Sequence, residues 1–402
     1  MIEELALQRD KYKHLSDAEW RWFLQQEEGR ERTADKLPSF AATEGWWYPV
    51  RLSCEQCSSE ATARYKSLLV NGKCPTGKCL DLTGGYGVDT FFLSEQFAHT
   101  CYVERDAELC RIAAHNFSLA DKNISVYNTF AEEFLRNHHS INPSFHQYSL
   151  IFLDPARRDS HGGKVFRLED CTPNVVELLP DLLAHLAPDG LILLKLSPMI
   201  DLTQALKELA PSYTVHHTPY TLLWDIHVVA VKNEVKEVLL LMSRSTNISK
   251  DRISGSLITA IDLARPGQAF TFTREEERDA SFLSFQGELE GAFLYEPNAA
   301  ILKAGAYKSV ALRFGLRKLD GNTHLYTSNT LYGDFPGRVW KASPLPSPKE
   351  RVISQANVLV RNYPLTAEQL KKKLRVRDGG TDFIIGCRVA GKPTLFLAER
   401  IL

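Results

Sequence analysis

The sequence predicts an α/β protein, in which a parallel sheet covered by helices follows a helical N-terminal module and precedes α+β C-terminal modules. From Lys78 onward, short β-rich runs alternate with helical stretches, which is typical of a parallel sheet with helices on both faces. After Arg244 this alternation stops, and turn signals separate the remaining strands. The 402 residues favour two or three domains, and 44% hydrophobic with 24% charged residues excludes a disordered, collagen-like or coiled-coil chain.

The N-terminal module, residues 1–75, is expected to be helical. Two serines are each followed three residues later by Glu or Gln, the pattern of a capping box that starts a helix: Ser16 with Glu19, and Ser53 with Gln56. We expect these helices to end near Arg30 and Val70. The segment 37–51 between them is expected to be extended and to pack over the fold through Trp46, Trp47 and Tyr48.

The central domain, residues 76–244, is expected to form the parallel sheet. Its predicted strands are Cys79–Leu82, Thr100–Val103, Ile124–Tyr127, Leu150–Leu153 and Leu191–Leu196. Two further runs, Trp224–Lys232 and Glu237–Met242, flank Asn233-Glu234. This arrangement predicts an antiparallel hairpin at the sheet edge.

Two smaller modules are predicted after the sheet. Residues 245–342 mix strands with turns rich in Gly and Pro, an α+β pattern. The two prolines of Ser343–Ser347 predict a linker. The last module, residues 343–402, combines β-rich runs with a predicted helix at Thr366–Leu374.

The charge of the chain is unevenly distributed. The net charge is −1, but residues 341–402 contain 12 basic and 5 acidic residues, so this end carries +7 and the remainder −8. A basic end on an acidic body suits a polyanionic partner, and it equally fits a solvated charged face.

The sequence lacks signals for a membrane or secreted protein. No apolar run approaches the ~18 residues of a membrane span, and the first 14 residues lack the apolar segment of a signal peptide. We therefore expect a cytoplasmic protein without a membrane partner. Its eight cysteines are too few for a disulfide scaffold, so we expect free thiols.

Four of the cysteines have a spacing that suits zinc, Cys54-x2-Cys57 and Cys74-x4-Cys79. However, Cys57 lies in a predicted helix and Cys79 in a predicted strand. We expect small buried thiols and no metal.

A glycine-rich turn follows the first predicted strand, in the run LDLTGGYGVDT from Leu80 to Thr90. Gly85 and Gly87 would let the backbone turn sharply and approach a ligand to a distance that a Cβ would prevent. A dinucleotide-binding turn needs a third glycine where this chain has Thr90, which weakens that interpretation. The residues alone leave open a tight strand-to-helix turn that binds no ligand.

The second predicted strand ends at Glu104, about twenty residues after the turn. A carboxylate at this place can accept hydrogen bonds from both hydroxyl groups of a ribose. The alternative is a solvated surface charge.

The fourth predicted strand ends in the run Asp154-Pro155-Ala156-Arg157-Arg158. A strand-end carboxylate beside a proline-stiffened loop can bind and align a reacting group. The two arginines can bind a phosphate or carboxylate bidentately, or one of them can pair with a nearby carboxylate and brace the loop. The polar loop 159–167 is a candidate substrate lid.

These motifs resemble those of class I S-adenosylmethionine-dependent methyltransferases, and six or seven strands with an antiparallel end resemble their Rossmann-like fold. The glycine turn resembles their motif I. The resemblance implies S-adenosyl-L-methionine as cofactor, bound by Asp81, Thr83, Gly84, Gly85, Gly87, Asp89, Glu104, Asn128 and Phe130. In that family the third strand meets the adenine, where this chain offers Asn128 or Phe130.

The Asp154 strand end resembles the D/N-P-P-x motif of enzymes that methylate nitrogen atoms of bases and amines, with Ala156 in place of the second proline. The resemblance implies catalytic roles for Asp154, Pro155, Arg157 and Arg158. Methylation of carbon 5 of uracil also needs a cysteine nucleophile near the next strand. Residues 194–199 contain none, which disfavours that reaction.

Nearly the whole chain resembles a bacterial group of these methyltransferases that carries a ferredoxin-like module and a C-terminal THUMP-like domain. Residues 295–305 resemble the first, and residues 357–364 and 378–380 the second. THUMP domains bind RNA, so the resemblance implies methylation of a base in tRNA or rRNA. Two alternatives remain: a small-molecule or protein methyltransferase whose paired arginines hold a substrate carboxylate, and an assembly factor that binds nucleotide or RNA without chemistry.

Overall fold

The computed structural model describes residues 9–139, 147–157, 167–209, 213–215, 218–245, 256–285, 292–345 and 353–402. The chain divides into two compact units. One unit comprises Met1–Trp224 and Val238–Lys250, and the other comprises Asp225–Glu237 and Asp251–Leu402.

Helices dominate the start of the first unit. They are α1 (Asp17–Thr33), α2 (Pro38–Ala41), α3 (Arg51–Gln56) and α4 (Glu60–Val70). The first predicted capping box is confirmed, because the Glu19 N–H donates to Ser16 Oγ and the Ser16 N–H donates to the Glu19 carboxylate.

The second predicted helix is wrong as a single element, because the chain becomes extended at Cys57. Helix α3 begins at Arg51 without a side-chain cap, so Ser53 is not its N-cap. Helix α4 begins after Ser59, whose hydroxyl accepts the Thr62 N–H. Serine side chains bind nearby backbone groups and therefore favour a cap over a helix interior.

The segment 37–51 is not wholly extended, since it contains α2, which starts with a proline at its first turn. Trp46 and Tyr48 are buried, as a packed segment requires. The Trp46 indole N–H donates to the Tyr86 hydroxyl at 2.9 Å, and that hydroxyl donates to the Trp47 carbonyl at 3.0 Å. These bonds attach the N-terminal segment to the glycine-rich turn.

Ten strands follow in chain order. They are β1 (Lys78–Asp81), β2 (His99–Glu104), β3 (Ile124–Asn128), β4 (Tyr148–Leu153), β5 (Ala156–Arg157), β6 (Cys171–Thr172), β7 (Leu186–Leu196), β8 (Tyr213–Val215), β9 (Thr218–Val231) and β10 (Glu234–Ser245). The helices among them are α5 (Val88–Leu93), α6 (Ala107–Leu119), α7 (Ala131–His139), α8 (Val175–His185) and α9 (Leu202–Leu209). All five predicted sheet strands are confirmed.

The sheet of the first unit has the strand order β3-β2-β1-β4-β7-β10. The pairs β2–β3, β1–β2, β1–β4 and β4–β7 are parallel, and β10 is antiparallel to β7. The strand order reverses between β1 and β4. In sheets of this kind a crevice forms at the carboxyl ends of the strands beside the reversal, and ligands bind there.

The second unit contains a separate sheet. The remaining strands of this unit are β11 (Leu257–Asp262), β12 (Phe270–Thr273), β13 (Leu283–Ser284), β14 (Ala292–Pro297), β15 (Arg317–Asp320), β16 (Thr323–Ser328), β17 (Gly337–Pro344), β18 (Asn357–Arg361), β19 (Asp382–Val389) and β20 (Lys392–Arg400). The separate sheet has the order β13-β15-β16-β14-β17-β20-β19-β18. The helices of the second unit are α10 (Arg274–Asp279), α11 (Ala299–Ala304), α12 (Tyr307–Arg313) and α13 (Ala367–Leu374). Strands β9 and β10 are neighbours, as the predicted hairpin requires, but β11 pairs with β9 and β12 with β11, so the hairpin does not lie at the sheet edge.

Two features of the second unit bear on the predicted organisation. Strand β17 continues to Pro344, so the start of the predicted linker 343–347 belongs to a strand, and the proposed boundary after residue 342 falls inside it. The predicted helix at its C-terminal end is confirmed, because the Thr366 hydroxyl caps α13. Within the described ranges, no helix combines the length and the apolar character needed to cross a membrane.

Candidate active site

A cavity of about 320 Å³ opens at the carboxyl ends of β1, β2 and β4. Its size lies in the usual range for small-molecule sites. Nine of the predicted site residues line it: Asp81, Thr83, Gly84, Gly85, Gly87, Asp89, Glu104, Phe130 and Asp154. The structure therefore brings the glycine turn and two strand ends to one place, which is what the positions of these motifs predict.

The glycine turn is shaped by packing on β2 and α6. Gly87 has a φ of 83°, and a Cβ added there would lie 2.7 Å from the Phe117 ring. At Gly84 an added Cβ would lie 2.1 Å from the Tyr102 ring. Gly85 has a φ of 54° and would place a Cβ no closer than 3.9 Å to any atom, so it leaves open space on the cavity wall.

Replacing Gly87 with alanine is expected to lower the free energy of unfolding by about 2–4 kcal/mol, because a left-handed backbone and an overpacked side chain add their costs. Gly72 provides a matched control, since its φ is 71° and an added Cβ would meet no atom within 4 Å. Gly72→Ala should cost only about 1–2 kcal/mol. Equal losses of unfolding free energy in the two variants, measured by urea unfolding, would show that packing against Phe117 adds no cost.

Glu104 lies at the end of β2 and holds the turn in place. One carboxylate oxygen accepts the Gly85 N–H at 2.9 Å, and the other accepts the Asp106 N–H at 2.9 Å. Each carboxylate oxygen can accept a second hydrogen bond. Glu104 therefore keeps the capacity to bind hydroxyl groups of a ligand in the cavity.

The two predicted adenine contacts differ in their placement. Phe130 lines the cavity and is 49% exposed, an unusual exposure for a large aromatic side chain. Asn128 is not among the lining residues, and its amide donates to the carbonyls of Glu104 and Arg105 at 3.0 Å each. Phe130 is thus the better placed of the two for a ligand contact.

Asp81 at the end of β1 is fully buried. Its carboxyl accepts the Thr90 hydroxyl at 2.5 Å and the Thr83 N–H at 2.9 Å. Burial raises the pKa of Asp81 to about 7, the two hydrogen bonds oppose this rise, and the nearby carboxylates of Asp89 and Asp154 add to it. These contacts make Asp81 a brace of the turn.

The raised pKa of Asp81 predicts a pH-dependent stability. The native carboxyl keeps its proton up to about pH 7, whereas the unfolded chain releases it near the ordinary value of 3.8. The native state therefore binds more protons between these values, and stability falls by up to about 1.4 kcal/mol per pH unit as pH rises from 5 to 7. Asp81→Asn should remove this slope in urea unfolding, while Asp35→Asn, at an exposed position, should keep it. A wild-type slope that persists in Asp81→Asn would contradict the assignment.

Asp154 follows β4, and its side chain is 37% exposed. Its backbone N–H donates to Thr83 Oγ1 at 2.6 Å, which ties this strand end to the glycine turn. Strand β5 then pairs with β6 in antiparallel fashion, so that Ala156, Thr172 and Pro173 also line the cavity. Ala156 is part of this ladder, where a proline could not donate a hydrogen bond.

The other residues of this strand end are less well placed for a functional assignment. Pro155 is not among the lining residues, and Arg157 belongs to β5. Arg158 and residues 159–166 of the predicted lid lie outside the described residues. The roles of the two arginines stay predictions.

Sequence reasoning missed a group of charged side chains beside Asp154. The Lys195 ammonium, at the end of β7, contacts the Asp154 carboxylate and lies 4.0 Å from Asp89 Oδ2. Asp89 also pairs with Lys66 at 3.1 Å and accepts the Ser58 hydroxyl at 2.7 Å. Burial alone would raise the pKa of Asp89, but Lys66, Lys195 and the Ser58 hydrogen bond together lower it. For Lys195 the signal available in the sequence was a lysine inside the apolar run Leu191–Leu196, whereas Lys66, between Tyr65 and Ser67, gave no such signal.

The crystal structure of a candidate methyltransferase from Porphyromonas gingivalis W83 matches this chain with a TM-score of 0.80. The two sequences are 34% identical, and the match covers 96% of this chain and 91% of the other. The chain belongs to this family of class I methyltransferases. Its α/β, Rossmann-like fold, predicted from the motifs, is thereby confirmed.

Family models identify the two C-terminal modules of this methyltransferase-family chain. A ferredoxin-like domain matches residues 293–336, and a THUMP-like domain matches residues 348–400. Both were predicted from short motifs within these ranges. The boundaries of all four predicted domains stay predictions.

Smaller structures also match part of the chain. An rRNA methylase from Streptococcus thermophilus is 12% identical, covers 46% of this chain and 94% of its own, and has a TM-score of 0.31. A candidate methyltransferase from Streptococcus mutans in complex with SAH is 12% identical, covers 46% and 97%, and also has a TM-score of 0.31. Matches at this level carry no inference about this chain. Comparison with curated proteins gave no match.

The cysteines of this family member are free thiols. Burial raises the pKa of Cys54 to about 12, as expected for a thiol in apolar surroundings. Among the residues that the structure describes, no group of three or more His, Cys, Asp or Glu side chains is arranged to hold a metal.

Proposed function

We propose that this protein transfers a methyl group from S-adenosyl-L-methionine to a nitrogen atom of an RNA base in tRNA or rRNA. The observation that carries the proposal is the cavity that joins the glycine turn, Glu104 and Asp154 at the strand-order reversal. A cofactor site and a strand-end carboxylate in one cavity suit the transfer of a small group between two bound molecules.

The residues of the cavity fit the cofactor. Glu104 can accept hydrogen bonds from ribose hydroxyls, because each of its oxygens has a remaining acceptor position. Gly85 leaves room beside the turn for close approach, and the exposed ring of Phe130 offers a face for an adenine. When bound there, S-adenosylmethionine would supply an electrophilic methyl group, and its sulfur would keep both electrons of the broken bond.

We assign Asp154 to binding the nitrogen atom that accepts the methyl group. Its carboxylate would accept a hydrogen bond from an N–H of the base, hold the nitrogen in line for transfer, and take the proton as the nitrogen is methylated. The Thr83 bond to the Asp154 backbone would fix the position of this carboxylate relative to the glycine turn.

The RNA part of the proposal rests on the C-terminal module. The THUMP-like match covers residues 348–400, within the segment that carries a charge of +7. Lys372, Lys373, Arg375 and Arg377 are exposed around the end of α13. Basic side chains that neutralise phosphates supply most of the sequence-independent affinity for nucleic acid.

We infer a helical module over 1–75, the methyltransferase domain over 76–244, a ferredoxin-like module over 245–342 and a THUMP-like domain over 343–402. We place the enzyme in the bacterial cytoplasm, where its RNA substrate would be found.

The test is the transfer of radiolabelled methyl from S-adenosylmethionine to total RNA, protein and small-molecule fractions prepared from a strain that lacks the gene. We expect label in one size class of RNA. If label appeared only in the protein or small-molecule fraction, the substrate would be a protein or a small molecule and not RNA. Binding of S-adenosylhomocysteine in calorimetry without transfer to any fraction would favour a non-catalytic binding protein, and absence of both would overturn the methyltransferase assignment.

A further inference from the structure

Four charged side chains of alternating sign form a line that leads from the interior of the first unit to the cavity: Lys66, Asp89, Lys195 and Asp154. Their exposed fractions rise along this line, from 0% through 10% and 13% to 37%. The line starts on α4, passes through the first turn of α5 and the end of β7, and ends at the carboxyl end of β4. The carboxyl ends of β4 and β7 and the first turn of α5 therefore meet along this line.

The buried end of the line is a fixed ion pair. Lys66 lies 3.1 Å from Asp89, and the Ser58 hydroxyl donates to Asp89 at 2.7 Å. Replacing a buried ion pair with apolar residues is often neutral or stabilising, because the charges lose their hydration. Stability alone is therefore a weak reason for this pair, and a role in fixing the geometry of its neighbours explains it better.

The neighbour that this pair fixes is Lys195. Its ammonium lies 4.0 Å from Asp89 Oδ2 on the side of the buried pair, and it binds Oδ2 of Asp154 on the side of the cavity. An ammonium carries three hydrogens and no acceptor, so it can bridge two carboxylates. The other oxygen of Asp154, Oδ1, is then the one that can accept a hydrogen bond from a molecule in the cavity.

We propose that Lys195 is a positioning residue, which holds the Asp154 carboxylate in the orientation needed for the substrate, and that the Lys66–Asp89 pair holds Lys195 in turn. This inference rests on the proposed function of Asp154. Lys195 acts on the acceptor side of the reaction, so its removal impairs the transfer step and leaves cofactor affinity unchanged.

The test compares Lys195→Met, Lys195→Arg and a matched control, Lys207→Met, at an exposed position on α9. We expect Lys195→Met to lower kcat by about 30-fold or more, while the KM for the RNA substrate stays within about threefold of the wild-type value. Misalignment of a reacting group typically lowers the rate by about 10²-fold. Lys195→Arg should recover at least about a third of the lost activity, because a guanidinium also binds a carboxylate. Lys207→Met should resemble the wild type.

Two measurements do not depend on turnover. Calorimetry with S-adenosylhomocysteine should give Kd values within about twofold for all variants, whereas a tenfold weaker Kd for Lys195→Met would make Lys195 a cofactor ligand and overturn the inference. The crystal structure of Lys195→Met should show Asp154 in a new rotamer or in several conformers. An unchanged, single Asp154 conformer would also overturn it.

Failure of the inference is distinguishable from failure of the proposed function. If the wild-type protein transfers no methyl group, the proposed function fails, and the Asp154 conformer in Lys195→Met still decides whether Lys195 positions this carboxylate. If the wild type is active and Lys195→Met retains full kcat, the positioning role is excluded while the methyltransferase assignment stands.

Discussion

Asp154→Ala is expected to lower methyl transfer by about 10³-fold while the affinity for S-adenosylhomocysteine stays within about twofold. The loss combines the alignment of the acceptor nitrogen with the removal of its proton, and general-base contributions are typically about 10²–10⁴-fold. The cofactor side of the cavity would persist, because Glu104 and the glycine turn are held by bonds that do not involve the Asp154 side chain. Single-turnover transfer of labelled methyl and calorimetry measure the two quantities separately.

The control for this variant is Glu169→Gln. Glu169 is a carboxylate in the same part of the chain, but it is about half exposed and pairs with Arg167 at the surface. Its replacement should leave transfer unchanged, since exposed ion pairs contribute little. Wild-type activity in Asp154→Ala would remove Asp154 from the mechanism, and a parallel loss of cofactor affinity would reassign it to the cofactor site.

The position of the cavity could be predicted from the sequence because its main residues follow apolar strands. The run before Asp154 and the run before Glu104 are apolar enough to be buried strands, and the carboxyl ends of parallel strands lie on one edge of a sheet. Local pattern and topology together therefore placed the glycine turn and both carboxylates in one cavity.

The side chains that surround Asp154 could not be predicted in the same way. Lys66 lies in a helix whose polar residues look solvent-facing, and only the packing of α4 against α5 buries it beside Asp89. The helix break at Cys57 depends on competition between Ser59 as a cap and the helical pattern on either side. Asp81 shows the same limit, since the motif gives its position on β1 but neither its complete burial nor its hydrogen bonds from Thr83 and Thr90.

Asp89→Asn is expected to lower the free energy of unfolding of the first unit by about 3–5 kcal/mol at pH 7. The substitution keeps the size and shape of the side chain, but it leaves the fully buried ammonium of Lys66 without its carboxylate. Removing one partner of a buried ion pair typically has a cost of this size, because the other charge stays desolvated. Urea unfolding followed by tryptophan fluorescence measures it, since Trp20, Trp22, Trp46 and Trp47 all lie in this unit.

The matched control is Glu95→Gln, which breaks the pair between Glu95 and Lys122. The side chains of this pair are 37% and 21% exposed, so the loss should be about 0–1 kcal/mol.

The double variant Lys66→Met/Asp89→Asn separates the cost of an unpaired charge from the loss of packing. It should be more stable than Asp89→Asn alone, because no charge then remains buried without a partner.

The stability that Asp89 contributes decreases as the pH falls. The pKa of Asp89 is lowered in the native state, so its contribution is present above the ordinary value of 3.8 and is lost as pH falls below it. The difference in the free energy of unfolding between the wild type and Asp89→Asn should therefore become smaller in acid. A difference that is equally large at pH 7 and pH 3 would show that the carboxylate charge is not what stabilises Lys66.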